Sequence, residues 1–449
     1  MTLARAQQPP LAPGWPVLGN ALSLASNVRG FLHAQYEQLG PVFRVAAPGY
    51  RYTVMAGLDA NLFLMRRGSE HFRSKEFWHA QDEVFGASRS LISMDGPEHA
   101  RLRKVQKRGY ARSSLAGRLD EVIALSEPEL AKSEGAVNAH YLMQRVVTKQ
   151  LGLITAQTDP GDYLDDMIRF VRTTLAAKVT KQRPAFTLLS PRYQRAKARA
   201  FELGQRVLEQ HRDTQHGDTQ QDDLIGDLLT LHRDDPDFLP EQDLLVAALG
   251  PFIAGLDTAA STLAFVLYNL HRHPDVLAGV QEEADTFFSS DRSLSSLKEM
   301  SMTYKLVLET LRMYPIAGAL TRTATKDFEF AGYLIPAETS VIIATTVPHY
   351  LAEYFPEPET FDLERYAPPR NEHRQVGAFA PFGLGAHTCL GTGLAEALIL
   401  LNLAVLTHFF DLDFSPKGYA LRIDPVPTPK PSKDFKVRLS ARSQSVGQA

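Results

Sequence analysis

The sequence predicts a mainly helical protein with small β-sheets. Two observations carry this expectation. Past about residue 95, ten successive segments carry helix signals, and strand character is confined to the stretches near 40–56 and 320–347. The composition, 44% hydrophobic and 22% charged, is that of an ordinary globular protein. With 449 residues the chain can bury a large core without metal or disulfide staples. It shows no internal repeat and no flexible linker, so one domain over residues 1–449 is expected.

Residues 7–20 hold four prolines and read as an extended, irregular lead-in. Val42, Phe43 and Val45, then Tyr50, Tyr52 and Val54, flank Pro48–Gly49 and predict a hairpin. Helices are expected near 97–108, 115–132, 139–156, 162–178, 191–212, 223–232, 240–271, 274–287 and 297–313. The polar run Asp213–Asp223 reads as a surface loop. Phe328 and Phe330, a Gly332 turn and Val341–Thr346 read as strands. Residues 350–388 form a long ordered loop of the kind usually kept for function, and a last helix follows over 391–408.

Several function classes are excluded or unsupported. A net charge of −3 argues against a nucleic-acid-coating protein. The single cysteine, Cys389, excludes an internal disulfide framework and every multi-cysteine metal site, and suits a reducing compartment. There is no HExxH, GxSxG or GxGxxG motif; Gly250–Gly255 has Walker spacing but Leu256 where lysine is required. The N-terminus carries no signal-peptide core. The longest nonpolar run, Leu244–Leu256, is thirteen residues, short of the roughly 20 needed to span a bilayer. A soluble, cytoplasmic protein is expected. His271 and His273, at the end of a helix before Pro274, read as C-terminal capping cations rather than metal ligands.

The most informative stretch surrounds Cys389. Glycines at 383, 385 and 391 enclose it, and an apolar helix begins just after. Backbone amides at a helix start favour thiolate, the metal-binding form. A buried structural cysteine is the competing reading. The run Phe382-Gly383-Leu384-Gly385-Ala386-His387-Thr388-Cys389-Leu390-Gly391 resembles the haem-binding loop of the cytochromes P450.

Three further motifs stand in that family's order. Glu309 and Arg312 lie at i, i+3 on one helix face, which could be only a surface ion pair. The resemblance makes them a buried structural network completed by Arg365. Ala254-Gly255-Leu256-Asp257-Thr258-Ala259 puts an interior glycine, an acid and a hydroxyl in an apolar helix. One reading has Thr258 bonding back to the Ala254 carbonyl with Asp257 in solvent. The resemblance implies an oxygen-binding groove, with Ala254 and Gly255 against haem and Asp257 and Thr258 as catalytic proton carriers. Pro251, a departure from the family pattern, predicts a kink one turn earlier. Finally, His99 and Arg103, at i, i+4 behind Asp95-Gly96-Pro97, would be a basic helix face on their own. The resemblance makes them partners of the haem propionates, together with Arg322 and His387.

The resemblance therefore implies a P450 fold, a helical bundle around haem b (iron protoporphyrin IX). It assigns Cys389 as the axial iron ligand and Phe382, Gly383 and Gly391 to the cofactor loop. It implies a monooxygenase inserting one oxygen atom from O2 into a lipophilic small molecule by hydroxylation or epoxidation. Alternatives are a peroxide-driven peroxygenase and a non-catalytic gas sensor. With no dinucleotide fingerprint and no segment for a flavin domain, NAD(P)H electrons are expected through a separate ferredoxin or flavodoxin with its reductase. Arg101, Lys104, Lys107 and Arg108 form a basic cluster that either docks that partner or is a solvated face. Family position suggests Phe85, Phe252, Ile253, Ala254, Ile316, Ala317 and Leu320 as pocket walls, with Arg183–Leu189 as a mobile roof. A monomer without nucleic acid or membrane span is expected.

Overall fold

The computed structural model describes residues 8–215 and 223–442. Its axis is the helix Glu241–Arg272, and why it sits at the centre is written in its composition. From Ala259 to Leu267 every residue is buried, so this stretch is apolar all round rather than amphipathic. One large core packs its second half against Ala139–Ala156, Ser301–Met313 and Thr392–Phe409. A second core packs its first half against Leu164–Thr174, Pro191–Gln215 and Leu224–Asp234. Glu241–Arg272 and Thr392–Phe409 are long and apolar enough to cross a membrane, but both are largely buried, as core helices are.

The β-rich part lies to one side. Its five-stranded sheet runs in the order Val42–Ala47, Tyr50–Ala56, Ser340–Ala344, Leu320–Ala324, Phe72–Arg73. The first hairpin closes with Ala47 opposite Tyr50, and Gly49 takes φ 77°, a left-handed value that favours glycine. Phe328–Phe330 and Tyr333–Ile335 pair around Gly332 as expected. The same sheet positions Arg322, which pairs with Val341 in mid-strand.

The expected helices after residue 95 are present with shifted ends, and two are divided. The 115–132 segment is split into Ser113–Ala116 and Leu119–Ala131, and the 297–313 segment becomes Leu294–Glu299 and Ser301–Met313 around Met300. Three helices were not expected: Ala21–Leu39, Leu58–His71 and Lys75–Phe85. The first is broken internally at Asn27, whose φ of −154° leaves helical space. C-terminal strands Phe410–Ser415 and Lys436–Ala441 were also missed; they pair with each other, and Ala136–Asn138 adds a third strand. Most of the polar run Asp213–Asp223 lies outside the described residues; Asp223 itself is buried and caps Leu224–Asp234. The central helix continues through Pro251 without a break.

Candidate active site

Cys389 sits one turn before the helix Thr392–Phe409, at the base of a cavity of about 1010 Å³. Gly385, at φ 74°, turns the chain here, and a Cβ on it would lie 3.0 Å from the Leu64 carbonyl oxygen. The Cys389 N–H donates to the Phe382 carbonyl at 2.9 Å, which locks the loop. Cys389 lines the cavity. Burial raises the thiol pKa, opposed by the Gly391 N–H, Thr392 and Arg103. Desolvation thus works against the thiolate, while the helix start and Arg103 favour it.

Two guanidiniums and two imidazoles gather around that base. His99 stacks on His387 at 4.2 Å between ring centroids. Burial and neighbouring positive charge push His99 down to about 4. Arg103 Nη2 donates to the Thr388 carbonyl at 2.6 Å, and Arg322 Nη1 donates to the Thr321 carbonyl at 2.8 Å. Arg322, 6% exposed, is pushed down to about 10 by burial. Neither guanidinium has an ion pair among the described residues, and both face the cavity. Two uncompensated guanidiniums and two imidazoles beside one thiol suit a dianionic macrocycle with a soft metal. Asp95 was not anticipated; it accepts from the Ser74 N–H at 2.7 Å and lies 3.0 Å from His387 Nε2.

Across the cavity runs the central helix. Ala254, Gly255, Thr258 and Ile253 line it. Thr258 Oγ1 donates to the Ala254 carbonyl at 2.7 Å, the back-bond that was one of its two readings. Asp257 is neither solvent-exposed nor in the cavity wall. It is 2% exposed and accepts from Gln144 Nε2 at 2.8 Å and Thr428 Oγ1 at 2.5 Å, with Arg172 Nη1 at 3.4 Å. His140 Nε2 lies 3.5 Å away and is pushed down to about 3 by burial. Sequence reasoning missed all four partners because they come from three distant segments. Thr428 both holds Asp257 and lines the cavity.

Gly255 has a packing reason as well as a cavity one. A Cβ there would meet Leu151 Cδ1 at 2.1 Å, so the glycine lets the Ala139–Ala156 helix approach.

Phe85, Ile316, Ala317 and Leu320 line the cavity. Phe252 does not: it is fully buried, against Gly152 in the core, because it sits off the helix face that carries Ala254. Phe382 and Gly383 also lie outside the wall; Phe382 acts through its carbonyl. The expected roof, Arg183–Leu189, does not line the cavity: Phe186 and Leu189 are exposed, and the chain reaches the cavity just before it, at Lys181 and Gln182. Of the basic cluster, Arg101 is paired with Asp235 at 2.7 Å and Arg108 with Asp227 at 2.6 Å.

The expected structural network is assembled at full burial. Arg312 meets Glu309 through two bonds of 2.7 and 2.9 Å, and Arg365 Nε lies 3.3 Å from the same carboxylate. Tyr366 adds a 2.7 Å hydroxyl bond that the sequence did not announce.

The sequence model of the family described as Cytochrome P450 matches residues 9–437. Abscisic acid 8'-hydroxylase 3 of Oryza sativa subsp. indica is 26% identical over 433 residues, covering 94% of this chain and 85% of the relative. Abscisic acid 8'-hydroxylase 1 of Arabidopsis thaliana is 27% identical over 419 residues, covering 91% and 85%. Retinoic acid bound cyanobacterial CYP120A1 superposes with a TM-score of 0.84 at 23% identity, covering 97% of this chain and all of that one. With the family matched over nearly its whole length and the same fold around its one cysteine, this chain belongs to the cytochrome P450 family and is a haem-dependent P450 monooxygenase.

Proposed function

We propose that this enzyme inserts one oxygen atom of O2 into a lipophilic small molecule, with electrons from a separate ferredoxin or flavodoxin system. The observation that carries the reading is that Cys389 and Thr258 both line one apolar-walled cavity. Relatives named as hydroxylases support hydroxylation as the reaction type.

Haem, when bound, supplies the oxygen activation, and its thiolate ligand favours cleavage of the O–O bond. The chain's residues do the rest. Cys389 would hold the iron, while Arg103, Arg322, His99 and His387 would take the propionates. Thr258 presents a hydroxyl at the point where a proton is needed, its oxygen kept in place by the Ala254 carbonyl. Asp257 supplies protons from behind the wall. Thr428 is its connection to the cavity, since this residue bonds Asp257 and also lines the wall. The apolar walls, including Phe85, Ile316 and Leu320, exclude water and leave orientation to a few polar groups. An enzyme of this kind in the cytoplasm needs no anchor to meet a soluble electron donor, and we place it there as a monomer.

Reduced protein under carbon monoxide should show the thiolate-type Soret shift, absent in Cys389→Ala. Product should form with NAD(P)H, ferredoxin and reductase. Turnover with hydrogen peroxide alone and none with the reductase system would replace this reading with a peroxygenase.

A further inference from the structure

The helix Gly96–Gln106 and the turn after it present one face to the cavity. His99, Arg103, Gln106 and Tyr110 line it at spacings of four, three and four. The Tyr110 N–H donates to the Gln106 carbonyl at 3.3 Å, so the helical turn carries on to Tyr110. The first half of that face, His99 and Arg103, belongs to the cofactor. The second half is neutral and polar, and the reaction does not use it.

Gln106 is 5% exposed. Its amide makes no hydrogen bond among the described residues, and neither does the Tyr110 hydroxyl. The polar atoms of the two side chains are not sealed in the packing; they are open, and the space they line is the cavity. Haem b carries hydrogen-bonding groups only on its propionates, which the cations would take. Its methyl and vinyl edges would leave the amide and the phenol unsatisfied. Polar groups taken out of water without partners are costly unless a ligand supplies them.

A second observation lies on the central helix and is independent of the first. Pro251 has no N–H, so the Ala247 carbonyl lacks the donor that the helix would otherwise give it. Ala247, Gly250 and Pro251 all line the cavity. Tyr110 brings its hydroxyl to this place. A Cβ on Gly250 would lie 3.2 Å from Tyr110 Oη, and one on Gly391 would lie 3.7 Å from Tyr110 Cδ1. The side chain therefore reaches from the Cys389 loop to the turn of the central helix that Pro251 has opened. A phenol that can donate and a carbonyl that only accepts border the same part of the wall, with the Gln106 amide one turn before Tyr110. A hydroxyl is the smallest group that takes from the one and gives to the other. It does so without bringing a charge that none of the three would neutralise.

We propose that Tyr110, Gln106 and the Ala247 carbonyl bind a hydroxyl group of the substrate, which is then a lipophilic alcohol oxidised at another carbon. Ala254 and Thr258 follow Gly250 by four and eight residues, about 6 and 12 Å along the helix, which sets the scale of the separation between the bound hydroxyl and the oxidised carbon. The inference rests on the monooxygenase reading only in taking this cavity as the substrate site.

Calorimetric titration of the haem-loaded full chain with cyclododecanol and chlorocyclododecane tests it. The two probes share a ring, and chlorine stands in for the hydroxyl without its donor. The readout is the ratio of alcohol to chloride affinity, in which the ring cancels. Tyr110→Phe should lower that ratio by about 5- to 10-fold, chiefly by weakening the alcohol. Gln106→Leu should lower it by about 3-fold. Pro251→Ala returns an N–H to the Ala247 carbonyl and favours the helix, so it should lower the ratio by about 3-fold in a protein that still folds. A ratio that any one of the three variants leaves unchanged overturns the proposal. Coordination of the alcohol to iron would depend on none of these residues and would leave the ratio standing in all of them. Binding is read without turnover. A chain whose ratio falls in all three variants but which makes no product indicts the oxidation chemistry, and a productive one whose ratio stands indicts this subsite.

Discussion

His349 is a neutral imidazole by geometry. Its Nε2 accepts from the Ala380 N–H at 2.8 Å, and its Nδ1 lies 3.2 Å from the Arg312 carbonyl. One nitrogen must be bare and the other protonated. Burial, with Arg312 adding positive charge nearby, pushes the ring down to about 3. His140, beside Asp257, is likewise pushed down to about 3 by burial. The consequence for stability has a definite sign. Between the ordinary histidine value of 6.5 and about 3, the unfolded chain takes up protons that the folded one refuses. Stability is therefore complete above 6.5 and falls as pH drops through that window. We expect urea midpoints to decline from pH 7 toward pH 4, and His349→Gln to flatten the decline by on the order of 3 kcal/mol. An unchanged slope in that variant would show that the ring protonates within the fold.

At the scale of elements, the contact between the central helix and Ala139–Ala156 is governed by Gly255. Its added Cβ would overlap Leu151 Cδ1, the end of a side chain packed in the core on one side and bordering the cavity on the other, so it can yield only partly. Gly255→Ala should therefore destabilise the fold by about 1–3 kcal/mol despite alanine's better helix propensity. Adding Leu151→Ala should recover part of that loss, giving a non-additive double-mutant cycle in thermal unfolding. Strict additivity would mean that the glycine's role lies in the cavity alone. The same helix explains why Phe252 was assigned to the wall. Where a helix is apolar on every side, composition does not say which face meets the cavity. The 3.6-residue period does: Val246, Ala247, Gly250, Ala254 and Thr258 share one face.

At the scale of the molecule, the cavity is where the packing clusters meet. Its walls draw Leu151 and Leu394 from one core, Phe85 and Val246 from another, and Leu320 and Ile342 from the sheets. A group that fills it binds only the folded chain and so stabilises all of them at once. With the free haem at 1,000 times its dissociation constant, linkage gives about 4 kcal/mol. For a chain of this size that corresponds to a melting temperature roughly 4 °C above that of haem-depleted protein. Matching calorimetric transitions before and after haem extraction would show that the cores stand independently of the site.

Local sequence determined a great deal here. A lone cysteine between glycines before an apolar helix, an i, i+3 Glu309–Arg312 pair and an i, i+4 His99–Arg103 pair are each written within a few residues, and so was the mainly helical architecture after residue 95. The three N-terminal helices were missed: Ala21–Leu39 is interrupted at Asn27, while Leu58–His71 and Lys75–Phe85 carry an apolar face at helical spacing that went unread. Tertiary structure alone decided what surrounds Asp257, because Gln144, Arg172 and Thr428 reach it from 113, 85 and 171 residues away. It alone decided that Gly255 serves a helix contact and that Tyr110 meets the central helix at Gly250. The physical reason is the same throughout. Hydrogen bonding and desolvation depend on what lies within a few ångströms, and only folding brings residues remote in the chain to that distance.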